Sequence, residues 1–310
     1  MGEQRLALVY GATGAQGGSV AAALLATGRW RVRAATRDPR SAAARALATA
    51  GAEVVRADLA EGDSLRLASA GASAVFLATN FWQLGAAEYE LSRSAVRAAL
   101  AAGAGHVVFS SLPESTRRSG GRLSLPHHDG KARLAAELAA AGAPVTFVQL
   151  TTYYQNWPAR RLRRTGGGLT ATFPYGDRPL ASASVDDLGG VVTALLEGGA
   201  GWHGRTVEVV GDVLAPAEYA RILSRVLGIP VSYVDVPAAE FRALPFPHAA
   251  EIADMFEFER DFMAAGRAAA RERTYELYPK TQDFESWARQ NTHRFARLPE
   301  EQPDHGNTGD

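Results

Sequence analysis

The 310-residue chain carries 33 basic and 33 acidic residues and no cysteine, so its formal charge is zero. Neutrality argues against an electrostatic surface for nucleic acid or an anionic membrane, and the absence of thiols excludes disulfides and thiolate catalysis. No apolar stretch approaches the roughly 20 residues of a membrane helix, no zinc-ligand pattern is present, and the first strand starts without a charged leader; a cytoplasmic, metal-free α/β protein is expected.

In chain order, residues 6–10 (LALVY) form a short apolar run that breaks into glycines at Gly11, Gly14 and Gly17, with a helix-forming stretch at 19–25. Strand, tight turn and helix in this order make a dinucleotide cradle. Gly11 permits the sharp reversal, Gly14 lets the main chain approach a pyrophosphate, and Gly17 lets the helix lie close on its strand. The helix N-terminus then offers free N–H groups to the phosphates. Residues 31–36 (RVRAAT) read as the second strand, with Arg37 at its tip and Asp38 and Arg40 beyond. An acidic residue at that tip would bind a free ribose 2′-hydroxyl, whereas an arginine fork pairs with a 2′-phosphate. Arg37 and Arg40 therefore favour NADP(H) over NAD, although Asp38 could still contact a ribose.

Strands and helices then alternate: helix 42–50, strand 53–56 leading to Asp58, helix 63–69, strand 74–78, loop 79–84, helix 87–102 and strand 106–110. A polar loop at 112–125, helix 129–141 and strand 145–150 follow. This repetition predicts a Rossmann-type, doubly wound parallel sheet, with ligand groups collected at the carboxyl ends of its strands. Those ends are Gly11, Arg37, Asp58, Thr79, Ser110 and Thr151. Beyond them the pattern loosens. Residues 160–164 read as a basic, solvated helix surface, 166–168 as a flexible turn, 184–196 as a capped helix, 207–210 as a strand and 215–226 as a helix. The aromatic segments 241–262 and 283–290 suggest a smaller C-terminal α/β lobe closing over the crevice. The expected division is a cofactor-binding core over 1–155, an interleaved lobe over 156–298 and a disordered tail over 299–310.

The blocks GATGAQGGSV, VRAATRDPRS, ATNFW, HHDGKARLAAEL, YYQNW, SVDDLG and YPKTQDFESW, between residues 6 and about 295, resemble the NmrA-like family of atypical short-chain dehydrogenase/reductases, most of all its NADPH-sensor branch. That resemblance implies that Gly11, Ala12, Thr13, Gly14, Ala15 and Gln16 cradle the pyrophosphate, with Gly17 closing the turn, and that Arg37 holds the 2′-phosphate. It places Asp58 by the adenine, Thr79 and Asn80 by the ribose, Lys131 at the nicotinamide ribose, and Tyr153, Tyr154, Gln155 and Asn156 around the nicotinamide. The residues themselves leave alternatives open. Asp58 could cap a helix, Lys131 could be a surface lysine, and the two tyrosines could be core packing. Asn156, a polar amide ending an apolar strand, needs partners.

Ordinary members of the wider superfamily use a Tyr-x-x-x-Lys pair, but four residues before Lys131 stands His127. An imidazole one helical turn from the lysine could act as a general acid, or make only a cofactor or structural hydrogen bond. Two functions compete on this reading. In one, the protein is an NADPH-dependent oxidoreductase for an aromatic or quinone-like small molecule, stacked by Phe81, Trp82, Tyr153, Tyr154 and Phe246. Lys131 or His127 would then stabilise oxyanion charge, and cofactor-supported coupling or rearrangement is a variant. In the other, it is a redox sensor that binds NADP(H) and regulates a partner protein, with residues 112–125 as the mobile element. A monomer or homodimer fits either.

Overall fold

The computed structural model describes residues 4–296 and 298; the tail expected at 299–310 lies outside the described residues. The first half builds β1 (Arg5–Tyr10), α1 (Ala15–Ala26), β2 (Trp30–Thr36), α2 (Ala42–Thr49), β3 (Glu53–Arg56), α3 (Gly62–Ser69), β4 (Ala74–Leu77), α4 (Phe81–Leu84), α5 (Glu88–Ala101), β5 (His106–Ser110), α6 (Ser115–Arg118), α7 (Pro126–Ala140) and β6 (Val145–Leu150). After β7 (Thr152–Tyr153) come β8 (Leu162–Thr165), β9 (Gly168–Thr172), β10 (Leu180–Ala183), α8 (Leu188–Gly198), β11 (Thr206–Val209) and β12 (Asp212–Leu214). The chain continues with α9 (Pro216–Leu227), β13 (Val231–Val234), α10 (Ala238–Arg242), α11 (Ala249–Phe262), α12 (Arg267–Leu277) and α13 (Phe284–Gln290).

Seven strands form one parallel sheet in the order β11-β6-β5-β4-β1-β2-β3, so the strand order reverses between β1 and β4. That reversal opens a crevice at the carboxyl ends of the strands, where α/β sheets bind ligands. The strands are apolar on both faces because helices cover both. α1 and α8 pack on one side with Val20, Leu24, Leu188 and Val192, and α3, α5 and α7 pack on the other with Leu65, Val96 and Leu134. β11 returns to the edge of this sheet from late in the chain. The remaining strands make two three-stranded sheets, β12-β10-β7 and β13-β9-β8, over an aromatic core of Tyr154, Trp157, Phe173, Tyr175, Tyr219, Phe256, Phe284 and Trp287. This is the smaller lobe.

Several boundaries differ from the sequence expectation for physical reasons. α1 begins at Ala15 and not at residue 19, because Gly17 and Gly18 stand inside its first turn, where their low helix propensity is outweighed by a close backbone approach. Gly11 is left-handed (φ 68°), and a Cβ there would stand 2.7 Å from the Ala78 carbonyl oxygen. A Cβ on Gly17 would stand 2.2 Å from the Gly11 oxygen and 2.9 Å from the Ala12 Cα. α7 starts at Pro126 and not at residue 129, because proline suits the first turn of a helix, and this takes His127 into the helix.

The loop 79–84 contains α4, and the 112–125 loop contains α6. The latter is fixed rather than free. Asp129 accepts hydrogen bonds from the Ser115 and Thr116 amides and hydroxyls at 2.6–3.2 Å, and Leu123 and Leu125 are buried against Phe258 and Met263. Residues 160–164 are not a solvated helix either. A five-residue π-turn (Trp157–Arg161) runs into β8, and Arg161 is buried.

Gly17→Ala is expected to cost at least about 1–3 kcal/mol, the usual penalty of overpacking, in chemical denaturation. Unchanged stability would show that the α1–β1 contact is not limiting.

Candidate active site

The glycine turn presents Gly11, Thr13, Gly14 and Ala15 to solvent, while Ala12 is buried beneath it. The Gly14 N–H donates to the Gly11 oxygen at 2.9 Å. α1 has no side-chain cap and no acidic residue in its first turn, so no carboxylate competes for its leading amides. Together with a turn that tolerates no Cβ at Gly11 or Gly17, this fits a pyrophosphate. The amide of Gln16, one turn on, donates to the Tyr153 hydroxyl at 2.7 Å and ties α1 to β7 across the crevice.

Arg37 lies exposed at the end of β2. Its guanidinium donates to the Gln83 side-chain oxygen at 3.1 Å and meets no carboxylate among the described residues. Arg40 instead stands 3.9 Å from Asp38. Asp58 accepts from the Ala60 N–H at 3.0 Å through one carboxylate oxygen. That is a turn-forming role, and Glu61 holds the N-cap position of α3. Asn80 caps α4 by accepting from the Trp82 N–H at 3.0 Å, and its NH2 group makes no hydrogen bond among the described residues.

Lys131 is no surface lysine. Its ammonium is buried and donates to the Thr79 carbonyl at 3.0 Å, with Glu88 Oε1 at 3.5 Å. Burial pushes its pKa down while Glu88 opposes the shift. Ser92 adds a hydroxyl bond to Thr79 at 3.3 Å, so the end of β4, α5 and α7 are joined through one cation. Glu88 is a site residue that sequence reasoning missed. An acid in the first turn of a helix reads as dipole compensation, and only the fold shows it buried beside Lys131.

His127 shares the Lys131 face of α7 and packs against Phe81 and Trp82, ring centres 5.7 and 5.2 Å away. Its Nε2 is buried and finds no hydrogen-bond partner among the described residues. Burial, helped by the neighbouring Lys131 charge, lowers its pKa to about 4, so the ring is neutral at pH 7 and holds no imidazolium proton to deliver as a general acid. Its neighbour His128 shares Nδ1 with the Pro113 carbonyl at 3.0 Å, and burial lowers its pKa to about 3. Trp82 remains 44% exposed and meets His248 of the smaller lobe in a tilted ring contact at 4.5 Å. His248 sits in the left-handed region (φ 68°), unusual for a non-glycine residue, and bonds Glu251 at 2.7 Å. Phe246 is exposed two residues earlier. At the end of β5, the buried hydroxyl of Ser111 finds no partner among the described residues.

The four residues expected around the nicotinamide divide. Tyr153 stands at the crevice through Gln16, and the side chain of Asn156 takes no hydrogen bond among the described residues. Tyr154 is fully buried in the second core against Phe284 and Trp287. Gln155 accepts from the Val185 N–H and donates to Ser184 and Asp186, all at 3.1 Å. Tyr154 belongs to the core of the smaller lobe, whereas half-buried Gln155 ties the end of β7 to the turn before α8 that packs on α1. No group of three or more His, Asp or Glu side chains that could hold a metal occurs among the described residues, and no described helix is long and apolar enough to cross a membrane.

His127 and His128 both titrate lower folded than unfolded. The unfolded chain therefore takes up more protons, and stability must fall as the pH drops from about 6.5 towards 4. At about 1.4 kcal/mol per pKa unit, His127 alone contributes on the order of 3 kcal/mol. His127→Phe, which keeps a ring against Trp82, is expected to flatten the decline in melting temperature between pH 7 and pH 4.5. An unchanged slope would contradict this.

The sequence profile of the NmrA-like family matches residues 3–288. The NmrA-like family domain-containing oxidoreductase hkm9 of Aspergillus hancockii is 34% identical over 245 residues, 72% of this chain and 73% of the relative. The oxidoreductase FrzB of Cladobotryum sp is 30% identical over 276 residues, 81% and 82% of the two chains. Among solved structures, NmrA, described as a negative transcriptional regulator, superposes with a TM-score of 0.80 at 21% identity in its NADP complex, covering 93% of this chain and 96% of that one. The NADPH-dependent quinone oxidoreductase QOR2 of Escherichia coli, complexed with NADPH, gives 0.75 at 23% identity over 94% and 99%.

Proposed function

The chain belongs to the NmrA-like family, and from that premise we propose that it is an NADPH-dependent reductase of an aromatic or quinone-like small molecule. The observation that carries the reading is the α7 pair. A neutral, unpartnered His127 and a buried Lys131 stand one turn apart beneath the Phe81–Trp82 wall.

NADPH, when bound, supplies a hydride. Gly11 to Gln16 and the first turn of α1 would take its pyrophosphate, Arg37 the 2′-phosphate, and Asp58, through its remaining carboxylate oxygen, the adenine amino group. The NH2 group of Asn80 and the Lys131 ammonium would face ribose hydroxyls, Lys131 with one donor left beyond Thr79 and Glu88. Tyr153 and Asn156 would flank the nicotinamide; Tyr154 and Gln155 would act only by shaping that wall. An acceptor carbonyl reduced in this crevice develops negative charge on oxygen. Lys131 stabilises that charge electrostatically, and His127 does so by a hydrogen bond in its Nε2–H tautomer. A quinone suits such a site because its quinolate needs no strong protein acid.

The relatives called oxidoreductases favour turnover, whereas the likeness to a transcriptional regulator supports the alternative of an NADP(H) sensor acting on a protein partner. That alternative needs a segment that moves with cofactor state, and residues 112–125 are pinned by Asp129 and by apolar burial.

Two results are expected. Following nicotinamide absorbance, the protein should oxidise NADPH with benzoquinone or menadione, and Lys131→Ala should raise the NADPH KM about tenfold or more; NADPH binding without oxidation of any acceptor in a quinone and enone panel would overturn the reductase in favour of the sensor. Arg37→Ala should weaken NADPH binding about tenfold or more and leave NADH binding little changed; equal losses would remove Arg37 from the 2′-phosphate.

A further inference from the structure

The crevice floor offers an oxyanion partner in Lys131 but no imidazolium proton, since His127 is neutral at pH 7. A third imidazole lies over that floor. His248 stands between α10 and α11, at the N-cap of α11, and is the one non-glycine residue with a left-handed backbone among the described residues (φ 68°). Such conformations cost free energy and persist where the surrounding structure holds them, often at active sites. Two contacts hold this one. The His248 carbonyl accepts from the Ile252 N–H at 2.9 Å, in the first turn of α11, and the imidazole meets the Trp82 ring at 4.5 Å.

Nδ1 of His248 lies 2.7 Å from Glu251 Oε2, one turn further along α11. An ionised carboxylate can only accept, so Nδ1 is the donor there and Nε2 is the nitrogen left for other chemistry. Nε2 makes no hydrogen bond among the described residues, and the side chain is 49% exposed. The dyad sits at the mouth of the crevice. His248 touches the half-exposed ring of Trp82, and Trp82 in turn lies 5.2 Å from the ring of His127. The Glu251 charge also reaches His127, where it opposes the fall in pKa caused by burial. A ligand or solvent can therefore meet Nε2 where the smaller lobe overhangs the α7 pair.

We propose that His248, as the imidazolium, is a general acid of this site and extends its acceptors from quinones to aromatic α,β-unsaturated ketones, whose reduced anion must be protonated. This rests on the reading of the crevice as a reductase site. The β-carbon of the enone takes the hydride and gains a C–H bond, and the alkene electron pair becomes that of an enolate, whose charge Lys131 stabilises. The enolate then takes the proton from Nε2, which leaves a saturated ketone and a neutral imidazole. Water restores the proton to the half-exposed ring, while Glu251 keeps Nδ1 protonated throughout. A quinone has less need of the second step, because its quinolate is the weaker base.

The test compares the full chain with His248→Gly, since glycine adopts this backbone at no steric cost and removes only the imidazole. His248→Asn, also tolerant of a left-handed backbone, carries the comparison should the Gly variant not fold. With NADPH oxidation followed, the variant is expected to lose at least about tenfold more kcat with benzylideneacetone than with benzoquinone, and added imidazole is expected to restore part of the lost enone rate. Contact is read separately by magnetic resonance on the NADP⁺-loaded chain with isotope-labelled histidine. Benzylacetone, the saturated product, should shift the His248 ring signal, identified by its loss in the variant. Equal losses with the two acceptors, a wild type that reduces benzoquinone but not the enone, or a His248 signal that does not move would each overturn the proposal without touching the reductase. Oxidation of NADPH by neither acceptor would remove the reductase, and the acid with it.

Discussion

The site depends on one buried cation. Lys131 reaches from α7 to the carbonyl at the end of β4 and to a carboxylate on α5, so three elements converge where the strand order reverses. A buried ammonium is tolerable only when paired and hydrogen-bonded, and here Thr79 and Glu88 meet that need before any ligand arrives. The same anchoring fixes the rotation of α7. His127, one turn before Lys131, is thereby turned under Phe81 and Trp82, and His128 towards Phe258 of the smaller lobe. Electrostatics and packing are one arrangement in this crevice.

The two lobes meet through aromatic and histidine contacts and through the buried Arg267, which pairs with Glu208 of β11 in the large sheet and with Glu259 of α11. His248 in its left-handed conformation lies on Trp82, and Phe258 lies on His128. Because desolvation keeps His127 and His128 neutral at pH 7, the crevice floor has one local cation, Lys131, and its neutralising Glu88. Arg37 adds a second, exposed cation at the adenosine end. Among the described residues Arg37 therefore carries a charge that no carboxylate balances, whereas that of Lys131 is paired with Glu88, on a chain of zero net charge.

Much of this was legible in the sequence because it follows from local rules. The glycine turn, the strand ends and the α/β alternation come from periodicity and backbone sterics, and strands 53–56, 106–110 and 145–150 match the structure residue for residue. What escaped depends on tertiary context. The close approach at Gly17 was legible, but the start of α1 at Ala15, with Gly17 and Gly18 inside its first turn, was not. Arg161 sits in a run of arginines that reads as solvated, and only the assembled lobe encloses it. Tyr154 stands beside Tyr153 in sequence yet is buried in the lobe interior, while Gln155 turns to Ser184, Val185 and Asp186, because a short strand running into a π-turn rotates successive side chains apart. Glu88 carried no local signal of burial.

The most direct test of the crevice as the cofactor and reaction site is amide hydrogen exchange of the full chain with and without NADPH. Protection is expected in residues 11–18, 79–84 and 127–131, with none in β8, β9 or β13. No protection at the glycine turn and α7, or protection confined to the smaller lobe, would contradict it.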